Sequence, residues 1–80
     1  MYFVYVLQSK KDGKHYYGLT RDLDNRLGEH NKGLVSSTKS RLPLELIYFE
    51  KVENISIARK REKYFKSGFG RKYVQGKIKH

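Results

Sequence analysis

The sequence predicts a mixed α/β (α+β) domain in the order β-β-α-β-α, with room for one further helix. Three observations carry this prediction. Two short aromatic, β-branched runs flank an Asp-Gly turn. A third such run lies between two stretches of helical periodicity, each with a capping residue in front of it. At 38% apolar and 14% aromatic the composition is too rich for a disordered tail, even with 32% charged residues.

Residues 2–9 (YFVYVLQS) and 15–20 (HYYGLT) read as strands. Between them Lys11-Asp12-Gly13-Lys14 reads as a hairpin turn in which Gly13 takes the positive φ. A two-residue turn at Asp12-Gly13 puts Tyr5 and Tyr16 on the same side, offset along the strands by about 13 Å, with Gly18 leaving space there. A two-residue slip of register would keep that shared side. Thr20 or Asp22 caps a helix over about 21–32, and Gly33 ends it. Residues 35–42 (VSSTKSRL) are a polar loop, Pro43 permits a strand to begin, and 44–50 (LELIYFE) form it. Asn54 or Ser56 caps a second helix to about Lys66, Ser67-Gly68-Phe69-Gly70 interrupts it, and 71–79 form a short last helix. No repeat or linker divides the chain, so residues 1–80 are expected to make one domain.

Charge narrows the function. Eighteen Lys and Arg against eight Asp and Glu leave +10, a field that attracts polyanions. Nucleic acid is the first partner this suggests and an anionic membrane the second, against the plainer reading of a basic, well-solvated surface. With no cysteine, disulfides and thiolate zinc sites are excluded. The run Tyr2-Phe3-Val4-Tyr5-Val6-Leu7 is too short to span a membrane and lacks a signal peptide's basic flank, so a cytoplasmic setting is expected.

Polar residues on apolar faces narrow it further. Leu23, Arg26, Leu27 and His30 fall at i, i+3, i+4 and i+7, on one face of the first helix. Either Arg26 and His30 help form an anion-holding pocket, or Arg26 sits at the stripe's edge, paired with Asp22 or Glu29. The pattern supports both equally. Ile55, Ala58, Glu62 and Phe65 form a similar stripe on the second helix, and Glu62 is the one acid between Asn54 and the C-terminus, among nine Lys and Arg. An i, i+4 ion pair with Lys66 could form on any exposed face, and it does not explain why the acid sits in the apolar one. A carboxylate within a basic surface suits Mg²⁺, which takes few protein ligands and completes its shell with water and phosphate oxygens. Strand tyrosines such as Tyr5 and Tyr16 are, on spacing alone, packing residues.

Together these pieces resemble the GIY-YIG nuclease family, and its small stand-alone branch in particular. The motif that names the family looks like Phe3-Val4-Tyr5 followed by Tyr16-Tyr17-Gly18. Arg26 and His30 match its helical Arg-x-x-x-His, and Glu62 in Arg61-Glu62-Lys63 matches its glutamate. Thr20, the Pro43 strand start and the Lys66-Ser67-Gly68 ending also resemble that branch. Phe3 stands where the name has glycine, Tyr17 replaces isoleucine, Leu19 stands where some relatives have lysine, and a later asparagine has no clear counterpart near Val74 and Gln75.

The resemblance implies a small three-stranded antiparallel sheet flanked by helices. It implies a metal-dependent endonuclease that hydrolyses phosphodiester bonds in DNA, with repair or recombination structures as candidate substrates. Glu62 would bind one Mg²⁺ or Mn²⁺, and Arg26 would stabilise the transition state. Tyr5 or Tyr16 would be the general base, with His30 positioning it or relaying its proton. Thr38, Lys39, Lys66, Arg71 and Lys72 would grip the backbone. The partner would be nucleic acid, DNA before RNA, and the protein a monomer or weak homodimer with no membrane role. Two rivals stand beside this reading: a binding module whose catalytic set has decayed, and an adaptor whose basic face meets an acidic protein.

Overall fold

In the computed structural model, residues 1–78 are described, and the expected end of the last helix at Lys79 lies outside them. Strands β1 (Tyr2–Ser9), β2 (His15–Thr20) and β3 (Leu44–Val52) form one antiparallel sheet in the order β2-β1-β3. The central strand is covered on both faces, which is why Val4, Tyr5, Val6 and Leu7 are all buried instead of alternating.

The hairpin differs from expectation in register. Tyr5 pairs with Gly18 and Leu7 with Tyr16, two residues away from the pairing that a tight Asp12-Gly13 turn would give. The cause is a wider turn. The Ser9 amide donates to the Lys14 carbonyl (2.9 Å), and the Ser9 hydroxyl accepts from the Lys11 and Asp12 amides at 3.1 and 3.3 Å. Gly13 does take the positive φ, +75°. An even slip leaves every side chain on its face, so Tyr5 and Tyr16 still share a side and now lie close.

Helix α1 (Leu23–Asn31) is capped by Asp22, whose carboxylate accepts from the Asn25 amide at 3.1 Å, so the helix starts two residues later than about 21. It ends before Gly33, at φ +77°. Leu23 and Leu27 pack with Leu42 and Leu46 against Tyr5, Leu7 and Leu44. The expected loop holds one 3-10 turn at Lys39–Arg41, and β3 runs on to Val52.

On the opposite face α2 (Ile55–Lys66) and α3 (Gly68–Ile78) cover Val4 and Val6 with Ala58, Phe65 and Val74. Asn54, not Ser56, caps α2, accepting from the Ile57 amide at 2.9 Å. The expected break at 67–70 shrinks to Ser67, and α3 begins at Gly68. Gly70 serves close packing instead of a break: a Cβ there would run into the Tyr64 carbonyl and the Phe65 Cα.

Candidate active site

Tyr5 occupies the centre of the sheet and points towards α1. It is 1% exposed, and its hydroxyl lies 3.0 Å from Nε2 of His30, itself buried on the last turn of α1. Nδ1 of His30 lies 2.8 Å from the Thr38 hydroxyl. The Thr38 hydroxyl also lies 3.5 Å from the Val35 carbonyl. In the tautomer protonated at Nδ1, that nitrogen donates to Thr38 and Nε2 accepts from Tyr5.

Space for that hydroxyl comes from Gly18, where a Cβ would sit 2.5 Å from the Tyr5 oxygen. The Tyr16 ring stands 6.5 Å from that of Tyr5 and 5.0 Å from that of His30, edge-on to the imidazole. The Arg26 guanidinium lies near enough to the Tyr5 hydroxyl to lower its pKa, and it pairs with Glu29 at 3.2 Å. The Arg26 side chain is 36% exposed and paired with Glu29, one of the two partners expected for it, while its charge also acts on Tyr5.

Glu62 comes from α2, on the other face, yet its negative charge acts on Tyr5. Its side chain is 24% exposed and meets Lys66 at 3.6 Å. Tyr5, Tyr16 and His30 are thus brought into contact, with Arg26 beside them, and Glu62 acts on Tyr5 by its charge.

Burial raises the Tyr5 pKa; Arg26 pulls it back, while Tyr16 and Glu62 push it up again. Burial and the neighbouring Arg26 cation lower that of His30, against a smaller opposing effect of Glu29. Both lowering effects favour the neutral imidazole.

Among the described residues no three His, Cys, Asp or Glu side chains converge on a point. A lone carboxylate such as Glu62 would suit an ion that keeps its waters and takes phosphate oxygens, as Mg²⁺ and Mn²⁺ do.

The backbone-gripping set divides. Lys39 and Lys72 are exposed, Lys66 is engaged with Glu62, and Arg71 lies beside Tyr17. Thr38 corrects the expectation. It is buried in the loop with its hydroxyl engaged by His30 and the Val35 carbonyl, so that hydroxyl faces the imidazole and not a bound backbone. The sequence did hold a signal, since a buried histidine needs a partner for each nitrogen. Arg61, counted among the cations of α2, is consumed by a two-pronged bond to Glu50 at 2.9 and 2.8 Å.

A family model described as the GIY-YIG catalytic domain matches residues 1–74. A UPF0213 protein of Listeria welshimeri is 44% identical over 66 residues, covering 81% of this chain and 72% of that protein. One from Lactococcus lactis is 39% identical over 80 residues, covering 99% and 76%. The solution NMR structure of a UPF0213 protein from Bacillus halodurans has a TM-score of 0.58 at 29% identity, covering 95% of this chain and 84% of that one.

Proposed function

Since the chain belongs to the GIY-YIG family, a family of nucleases, we propose that it hydrolyses phosphodiester bonds in DNA at the Tyr5–His30–Arg26 site, with one Mg²⁺ or Mn²⁺ held by Glu62. The observation that carries this is the Tyr5 hydroxyl, 3.0 Å from the His30 imidazole and acted on by the charges of Arg26 and Glu62.

A free phenol has a pKa near ~10, and burial raises that of Tyr5. A standing phenolate is therefore the wrong base at neutral pH. A relay avoids it. The attacking water gives its proton to the Tyr5 oxygen while the Tyr5 proton passes to Nε2 of His30, which becomes an imidazolium held by Thr38 through Nδ1–H. The water oxygen bonds to phosphorus, the bond to the leaving oxygen breaks, and that oxygen takes a proton from solvent. Arg26 meets the extra negative charge of the five-coordinate transition state. Bound at Glu62, the ion would neutralise charge on the scissile phosphate, with Lys66 giving way. Tyr16 packs on the edge of the imidazole and limits its rotation.

Supercoiled plasmid and branched DNA, incubated with Mg²⁺ or Mn²⁺, test this. Wild type cuts at least one of them and Glu62→Ala does not. Wild type that binds both but cuts neither would leave a binding module, and a Glu62→Ala variant as active as wild type would remove the metal role.

A further inference from the structure

A second polar hollow, of about 470 Å³, opens beside the hairpin on the α2/α3 face of the sheet. Its lining is unlike a core. Arg71 from α3 and Lys14 from the turn bring positive charge, Gln8 and Gln75 bring amides, and His15 and Tyr17 bring flat aromatic faces. His15 Nδ1 lies 3.3 Å from the Tyr17 hydroxyl, the rings stand edge-on at 6.1 Å, and Arg71 lines the same hollow, its charge acting on both side chains. A structural arginine would be closed off by a carboxylate, as Arg61 is by Glu50. The lining of this hollow contains no acid.

Cations, amides and aromatic faces in a cavity of ligand size are the features that recognise one nucleotide: phosphate on the guanidinium, base against the rings, base edge on the amides. Position adds to this. β2 is an edge strand, and along it His15 lies three residues from Gly18, the residue paired with Tyr5, or about 10 Å. That is the length of about three nucleotides of stacked strand and fewer of an extended one.

We infer that this hollow seats an unpaired nucleotide of the substrate strand, a few positions from the scissile phosphate, as that strand rounds the β2 edge. The inference rests on the nuclease reading and sharpens it, because a base inside a duplex cannot reach Tyr17. It points to substrates with a single-stranded segment at the cut.

Binding without metal tests the hollow independently of cleavage. Fluorescence anisotropy would follow a labelled single-stranded 12-mer, carrying either a 5′-phosphate or a 5′-hydroxyl, and the matching duplex. Arg71→Ala should weaken binding of both single strands about tenfold, reduce the salt slope by about 0.7, the value for one phosphate contact, and change duplex binding much less. Lys60→Ala, which removes an exposed cation elsewhere, is the control for charge alone. In NMR titrations with thymidine 5′-monophosphate, the side-chain amides of Gln8 and Gln75 should shift more than with thymidine or inorganic phosphate. The inference fails if Arg71→Ala costs no more than Lys60→Ala, if the loss appears only with the 5′-phosphate, or if the two glutamine amides do not respond. Absence of cleavage would leave this result standing and would count against the nuclease reading alone.

Discussion

On one face of the sheet Tyr5, His30 and Arg26 meet, and on the other Tyr17, His15 and Arg71 do. In both clusters burial first, and then the arginine, lowers the pKa of the histidine. The clusters differ in two respects. Tyr5 and His30 come from a strand and a helix, and the imidazole is fixed at its far nitrogen by Thr38, whereas His15 and Tyr17 are near neighbours on one strand. An acid, Glu62, also acts on Tyr5, while only Arg71 acts by its charge on His15 and Tyr17. A tyrosine, a histidine and an arginine can hold an anion. Adding a carboxylate and a fixed proton path gives a site that could react with one.

The sharpest way to break this comparison uses the arginines. Arg26→Ala should cut cleavage by about 10²–10³-fold, the typical cost of removing one transition-state donor, with little change in melting temperature because the side chain is partly solvated. Arg61→Ala should do the reverse. Its bonds to Glu50, beneath the rings of Tyr64, Phe65 and Tyr73, are charge-assisted and worth about 1.5–3 kcal/mol, while the cleavage rate should hold. Single-turnover cleavage and thermal melts on the same preparations separate the two. A matching rate loss in Arg61→Ala would mean that the faces are not distinct.

Next in size are the glycines. In Gly18→Ala the new Cβ would sit 2.5 Å from the Tyr5 hydroxyl, forcing that oxygen away from His30 and Arg26. A displacement near 1 Å can cost about 10²-fold in rate, while binding should persist. Gly70→Ala instead strains the α2–α3 contact, where the obstacle is backbone. Overpacking of this kind costs about 1–3 kcal/mol, and cleavage per folded molecule should be unaffected. If Gly18→Ala cuts as well as wild type, Tyr5 is not where the reaction happens.

Much of this was legible in the sequence, for identifiable reasons. Period-2 and period-3.6 patterns located the strands and helices, and Asn54 is an N-cap whose side chain does what its type suggests. The stripe Leu23, Arg26, Leu27, His30 put the site's polar residues on the buried side of α1, because local spacing fixes a helix face. The Tyr5–Tyr16 distance was not legible. It depended on a serine hydroxyl choosing a wider turn, a local competition that strand patterning does not report. Nor was the burial of Thr38, since a loop residue's environment is set by distant chain, here His30. The break drawn as far as Gly70 failed there because glycine can mark close helix approach as readily as a helix end. Tyr17, read as a stand-in for isoleucine, faces a hollow whose other walls come from both ends of the chain.

The smallest effect, and the most direct comparison of the faces, is the acid limb. Both histidines have depressed pKa values in the fold, so between each depressed value and the ordinary imidazole value near ~6.5 the unfolded chain binds more protons. Stability is then complete above that ordinary value and declines as pH falls from it through the folded values. His30→Gln and His15→Gln should each flatten part of this decline in thermal melts. Asp12 and Glu50, whose carboxyls are also lowered, act only at more acid pH. Cleavage should distinguish the two where stability does not. Protonating His30 removes the acceptor for the Tyr5 proton, so kcat/KM should fall below the ordinary imidazole range in wild type and keep the same limb in His15→Gln. A limb that disappears with His15→Gln would move the titrating base to the α2/α3 face, and the acid near Tyr5 could no longer be what sets the two clusters apart.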